Sequence, residues 1–386
     1  MTSKTRILVL LVSAPIITFT VVGGFLGNAI ARDDTYQQLR IFQDVVSLIV
    51  TNYVEEADLD RVMGGAMRGL AEGLDPDSAY LTAADVSRLE AGETLPPAET
   101  GLEVTRQYYL RIVSARDGSP GARAGLRPGD LIRLIDDTPT REMSAFEGMR
   151  RLRGAPGSTV TLTVIRGSQV DPHVVELRRE VPSAPSVNGS IQAAGIGYVR
   201  VAAFDTGSAA ALDAAVANLG RQGAASLILD LRGTAVGTYE EATRAARLFV
   251  GSGTLAVRQA RGLENQTIVA APDDGKLTLP VALLTDIGTS GPSEVFAAAL
   301  DANDRAELIG ERTLGRVTTQ KLVKLPDGSG LWLTGSRYLL PSAEPMQGLV
   351  PDIVVEQPDP EFGDPLPNAD ATIERATERL SSRPAA

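Results

Sequence analysis

Chemistry in this chain has to be built without thiols and almost without imidazole. Its 386 residues include no cysteine and one histidine, His173. Disulfides, thiolate metal ligands and a cysteine nucleophile are excluded, and a multi-histidine metal centre cannot form. A Ser-His-Asp triad would have to rely on His173. That residue stands in a strand-like run rich in valine and arginine, where a solvated histidine is the plain reading. No metal or cofactor is expected. Hydroxyl, carboxylate, ammonium and guanidinium groups remain. In an alternating strand-helix chain such groups gather at the carboxyl ends of the strands, here just after Arg232 and just after Thr285.

The elements that would position them follow from the apolar pattern. Strands are expected at 196–201, 226–232, 281–285 and 307–310, and helices at 208–219, 239–250 and 292–300. Continuous apolar runs such as Leu227-Ile228-Leu229 imply strands buried on both faces, hence a mostly parallel sheet covered by helices. The last segment, 356–386, is Pro-rich with a short charged helix over 370–380, packing locally or standing in solvent.

Upstream, the pattern changes to short strands and turns. Strands are expected at 102–104, 109–113, 131–135 and 159–165, with a short helix and tight turn over 120–130 and a short helix over 144–152. The run Gly125-Leu126-Arg127-Pro128-Gly129-Asp130, the apolar strand after it with Asp136, and Leu152-Arg153-Gly154-Ala155-Pro156-Gly157 resemble a PDZ domain, placed at 99–168. Such a domain binds an extended peptide C-terminus along a sheet edge. The resemblance puts Gly101, Leu102, Glu103 and Val104 at the carboxylate loop and faces Phe146 and Met149 into the groove. The bland alternative is that these residues only fill a core.

Before the PDZ-like segment, residues 35–98 read as a helical domain and linker. One helical stripe carries Leu39, Phe42, Val45, Val46, Ile49 and Tyr53, and a second carries Leu59, Val62, Met63, Ala66, Met67 and Leu70. They form a small helical cap, either a homodimer contact or plain intrachain packing. Residues 85–99 are polar and Pro-containing and read as linker. At the start, Lys4 and Arg6 precede an uncharged run over 7–31 that ends Ala29-Ile30-Ala31. Residues 1–31 thus read as a secretory signal or an uncleaved inner-membrane anchor over 7–27, about 20 residues being enough to span a bilayer. Either way the rest of the chain is expected to be exported, periplasmic or extracytoplasmic.

Composition narrows the partners. Hydrophobic residues at 43% with 22% charged mark a globular chain rather than a disordered one. Lys and Arg total 37 against 48 Asp and Glu, for a net charge of -11, which opposes nucleic-acid binding. Aromatics at 4% leave little for base stacking.

From about residue 36 to 355 the chain resembles the C-terminal processing peptidases, or tail-specific proteases. The matching pieces are Asn52-Tyr53-Val54-Glu55, Leu74-Asp75-Pro76, the PDZ segment, Gly195-Ile196-Gly197-Tyr198, Leu229-Asp230-Leu231-Arg232, Ser293-Glu294-Val295-Phe296, Gly310-Glu311-Arg312-Thr313, Leu325-Pro326-Asp327-Gly328-Ser329 and Gln347-Gly348-Leu349-Val350-Pro351-Asp352. They occur in the family's order. The resemblance implies an α+β multidomain fold: helical cap, PDZ-like β-barrel domain, and an α/β protease-like core at 169–355 with a mostly parallel sheet.

That family uses a serine nucleophile and a lysine base, the serine lying two positions before a Ser-Glu pair that opens a helix. Laid on Gly288-Thr289-Ser290-Gly291-Pro292-Ser293-Glu294, the nucleophile position is Gly291. The base position, in Gly310-Glu311-Arg312-Thr313-Leu314-Gly315-Arg316, is Arg316. Of the family's oxyanion turn only Gly237 is kept. Glycine offers no nucleophile, and arginine stays protonated near neutral pH. Fallback candidates for a displaced dyad are Ser290, Ser293 and Lys321, the last only if a bulge in its strand turns it inward. The expectation is a family member without its catalytic pair that binds protein C-termini as adaptor or regulator, with an active protease paralogue as a further partner. The alternative is a serine endopeptidase with displaced residues.

Overall fold

The computed structural model describes residues 36–167, 171–193, 195–357, 361–362 and 369–382. The signal or anchor expected at 1–31 lies outside these residues. Among the described residues no helix is long and apolar enough to cross a membrane. The chain divides into two compact units, 1–67 and 68–386. In the first, the described residues form a helix over 36–52 and begin a second, Leu59–Glu72. The apolar residues Leu39, Val45, Ile49 and Tyr53 of the first stripe are exposed.

The second unit is built around a six-stranded sheet in the order Val187–Ala193, Ile196–Val201, Ser226–Asp230, Val281–Thr285, Ala306–Gly310, Ile353–Val354. The first pair is antiparallel and all later pairs are parallel. Strand Val281–Thr285 is buried throughout, as its unbroken apolar run requires. Helices Ser208–Arg221, Tyr239–Arg247 and Pro292–Asp301 pack with one face of the sheet through Leu212, Ala242 and Phe296, with Phe249 just after the second helix in the same core. The opposite face (Ile228, Ala282, Leu284, Ile309) is covered by Ala376 and Leu380 of the terminal helix Ala371–Ser381. The tail is therefore a structural layer. Asp370 caps that helix and also pairs with Arg232 at 2.8 Å.

A second, antiparallel sheet joins Ala79–Leu81, Thr254–Ala260, Gln266–Val269, Thr318–Lys324 and Gly330–Leu339. Of these strands, only the one around Lys321 is expected from sequence. Residues 85–99 are not all linker: 85–90 belong to a helix, Ala83–Glu90. A reciprocal cap starts it, Thr82 accepting from the Asp85 amide while the Asp85 carboxylate accepts from the Thr82 amide.

The PDZ-like domain is an antiparallel sheet of Leu102–Arg106, Leu110–Ala115, Leu131–Ile135, Thr159–Ile165 and His173–Arg178, in that order. Its sheet extends beyond residue 168, because His173–Arg178 pairs with Thr159–Ile165. Alternate side chains (Leu102, Val104, Ile112, Leu162, Val164) fill one core. Ser144 caps the helix Ala145–Arg151, and Gly148 lets that helix approach Leu110, whose Cδ1 would lie 2.3 Å from an added Cβ. Strand Leu102–Arg106 is at the sheet edge and, among the described residues, pairs only with Leu110–Ala115.

Three contacts set the PDZ-like domain over the carboxyl ends of the core strands. Arg116 donates to Asp205 at 2.8 Å, and Arg200 donates to both Asp117 oxygens at 2.7 and 2.9 Å. Pro128 reaches the turn at Gly288, where an added Cβ would lie 2.6 Å from its Cγ.

Candidate functional site

The turn after strand Val281–Thr285 is fixed before any reactive group is considered. Asp286 accepts from the amides of Gly233 (2.8 Å) and Gly288 (2.9 Å) and from the Thr289 hydroxyl (3.1 Å). Burial pushes its carboxyl up, and the Gly233 hydrogen bond opposes that. The turn ends at Gly291, with φ +63 and ψ −119, a backbone state that side chains rarely adopt. Pro292 then starts the helix, in a position that needs no amide donor.

Glu294 ties this turn to the loop carrying Arg316. Fully buried, its carboxylate accepts from the amides of Gly291 and Arg316 (both 3.0 Å), the amide of Gly315 and the hydroxyl of Thr313. Burial raises its pKa, and those donors pull the other way. The two loops are thereby held side by side. A Cβ built on Gly291 would lie 3.5 Å from the Arg316 carbonyl oxygen and 3.7 Å from the Tyr239 hydroxyl. Tyr239 itself donates to the Thr318 carbonyl at 3.1 Å and stacks on Tyr338.

The Arg316 side chain leaves this junction and reaches Asp77, in the turn that follows Leu59–Glu72. Its Nε donates to both Asp77 oxygens, at 3.0 and 2.8 Å. Asp77 also accepts from Thr105 of the PDZ edge strand at 3.2 Å. Burial acts to lower the Arg316 pKa, but the Asp77 carboxylate more than offsets it, so the guanidinium is held charged. Glu103, on the same edge strand, has its carboxyl pushed up to about 7 by burial, against the opposing pull of Arg316.

The remaining sequence candidates separate. Gly237 lies against the backbone of Phe204, 2.4 Å from an added Cβ, in a strand-like bridge, so its glycine is required by packing. Ser293 is buried, and its hydroxyl is engaged with the carbonyls of Thr234 and Ser290 while accepting the Ser290 amide at 3.0 Å. The Ser290 hydroxyl is buried without a partner. The strand Thr318–Lys324 does carry an irregularity, between Thr319 and Gln320. Lys321 is nevertheless exposed, its stem lying over Gly335, and Gln320 is the residue that lines the cleft.

That cleft is a cavity of about 420 Å³ between the PDZ helix, the helix Ala83–Glu90 and the core. Val104, Phe146 and Met149 line it together with Arg316 and Trp332. The rings of Phe146 and Trp332 lie 5.6 Å apart. Gly101 lines a different and much smaller pocket, of about 50 Å³, beside Arg116 and Ser119. Leu102 is buried in the PDZ core. The structure thus gathers three of the six peptide-site candidates around the cleft, sets Glu103 within electrostatic reach of Arg316, and leaves Gly101 and Leu102 apart. Asp77, Gln320, Trp332 and the clamping role of Glu294 were not read from sequence. The Ser-Glu pair at 293–294 was the only signal for any of them.

Comparison with known proteins agrees with this arrangement. Residues 195–355 match the model of peptidase family S41, and residues 111–166 match a PDZ domain. A carboxy-terminal-processing protease of Bartonella bacilliformis is 30% identical over 339 residues, covering 86% of this chain and 78% of that protein. A carboxyl-terminal-processing protease of Synechocystis sp. is 30% identical over 316 residues, covering 80% and 74%. Among solved structures, a photosystem II D1 C-terminal processing protease superposes with a TM-score of 0.68 at 26% identity, over 82% of this chain and 92% of that one. With its PDZ domain set over an S41-type core, the chain belongs to the carboxy-terminal processing protease family.

Proposed function

We propose that this chain is a non-catalytic member of its family, one that binds protein C-termini as an adaptor or regulator. The carrying observation is the pair of Gly291 and Arg316. They lie side by side where the family resemblance places nucleophile and base, yet one has no side chain and the other is a guanidinium engaged by Asp77. A charged arginine cannot take a proton from a hydroxyl at neutral pH. Loss of a nucleophile alone costs on the order of a million-fold in turnover. Fold similarity carries no chemistry by itself.

The reading includes export, with residues 1–31 as signal or anchor. Its partners are protein C-termini, an active protease paralogue, and a second copy of the chain through the exposed apolar stripe of helix 36–52. A displaced dyad is the competing reading, favoured only by the unpartnered Ser290 hydroxyl. Burial of Ser290, engagement of Ser293 and exposure of Lys321 all speak against it. Treatment of the purified protein with a fluorophosphonate tests the choice. The expected result is no labelled serine by mass spectrometry, and stoichiometric labelling of Ser290 or Ser293 would overturn the proposal.

A further inference from the structure

The cavity beside Arg316 has the chemistry of a receptor for an apolar chain end carrying a free carboxylate. Arg316 uses Nε on Asp77, and among the described residues its two Nη groups make no hydrogen bond, with the Glu103 carboxyl in electrostatic reach of the guanidinium. Its side chain is 27% exposed, and it lines the cavity. Asp77 also fixes the guanidinium in place, so little rotamer entropy remains to be lost on binding. Two further guanidiniums, Arg150 and Arg153, line the same space, each with one carboxylate partner, Glu93 and Glu99. The rest of the wall is largely apolar, with Val104, Phe146, Met149 and Trp332. Along one side runs the edge strand Leu102–Arg106, which has no strand neighbour on its free edge. An extended backbone can pair there, which selects a peptide over a simple fatty acid. The carboxylate-loop residue Gly101 does not open into this cavity, so the charge at the end of the peptide must be met by guanidinium.

We infer that Arg316 is a carboxylate-binding residue, its Nη groups capturing the α-carboxylate of a peptide with an apolar C-terminal residue held between the PDZ helix and Trp332. This deepens the non-catalytic reading and rests on it. Planar two-point recognition of a carboxylate is what arginine does and lysine does not.

The test compares a short fluorescein-labelled peptide ending in an apolar residue, as free acid and as C-terminal amide, by anisotropy against the full chain. The free acid is expected to bind at least about tenfold more tightly than the amide. Arg316→Gln should bring that ratio close to one, and Arg316→Lys, which keeps the charge but loses the two-point fork, should lower it. The lysine variant keeps the charge opposite Asp77, so a loss there does not reflect misfolding. Equal binding of acid and amide, a ratio that survives Arg316→Gln, or tighter binding of decanoate than of the peptide would each overturn the inference. Mass spectrometry of the same peptide after incubation separates the two readings. Cleavage would sink the non-catalytic proposal, whereas carboxylate dependence stands or falls on the acid-to-amide ratio.

Discussion

Two sides of the same pair of loops differ in how their polar groups are used. The buried side, around Glu294, Ser293 and Asp286, spends nearly every polar group on a fixed partner. The other side carries Gly291, which is buried and has no side chain, and Arg316, whose side chain turns to Asp77 and lines the cleft. The first side is the frame on which a nucleophile and a base would be mounted, and the second is the mounting. Frame and chemistry are separable because hydrogen bonds to a buried carboxylate hold loops together whether or not the loops react.

The comparison can be broken by mutation. The largest effect is expected at the frame. Glu294→Ala leaves the donors of Gly291, Thr313, Gly315 and Arg316 without their acceptor, and should cost about 3–5 kcal/mol, read as a fall in the urea midpoint. Glu294→Gln retains one acceptor oxygen and should cost visibly less. If Glu294→Ala unfolds no more easily than wild type, the clamp is not what holds the loops.

At the cleft the cost should be smaller. Arg316→Ala leaves Asp77 with only Thr105, and a partly exposed pair of this kind should be worth about 1–3 kcal/mol in the same measurement. The gap between the two variants is the difference between frame and mounting. A loss at Arg316 as large as that at Glu294 would erase the distinction.

Glu103 adds a pH signature on the cleft side. Its carboxyl is raised in the folded state to about 7, so between about 4.5 and 7 the folded chain holds a proton that the unfolded chain has released. The stabilising contribution is full below about 4.5 and is lost as pH rises through 7. Glu103→Gln should flatten that fall, measured as the melting-temperature difference between variant and wild type at pH 5 and pH 8. An unchanged slope would show that Glu103 titrates normally.

The smallest effects sharpen the picture within one turn. Ser293→Ala should cost about 1–2 kcal/mol because its hydroxyl bridges Thr234 and Ser290. Ser290→Ala should change stability by less than about 0.5 kcal/mol, since that hydroxyl has no partner to lose. Chemical denaturation of the two single variants separates them.

Much of this frame could be read from residues alone. Strands such as Val281–Thr285 announce themselves by unbroken apolar runs, and the PDZ-like turns by glycine and proline at set spacings. The antiparallel sheet did not, because Thr318–Lys324 carries mixed polar residues with only partial burial and so no clean alternation. Helix Ala83–Glu90 was hidden because its polar residues read as a linker, although Thr82 and Asp85 stand at capping spacing. The resemblance named Gly291 and Arg316 as a pair, and in the fold a Cβ built on Gly291 would lie 3.5 Å from the Arg316 carbonyl oxygen. Asp77 escaped notice for a simpler reason: it is 239 residues from Arg316, and no local pattern encodes that pairing. Sequence likewise could not show which of Gln320 and Lys321 the bulged strand turns to the cleft.

The most direct measurement is a paired proteolysis assay on an unfolded reporter with an apolar C-terminus, comparing wild type with the Gly291→Ser plus Arg316→Lys double variant. A Cβ at 291 meets no atom closer than 3.5 Å, although the positive φ there costs about 1–3 kcal/mol. If the non-catalytic reading holds, wild type leaves the reporter whole and the double variant cleaves it. Cleavage by wild type would contradict this and return the search for a nucleophile to Ser290 and a base to Lys321.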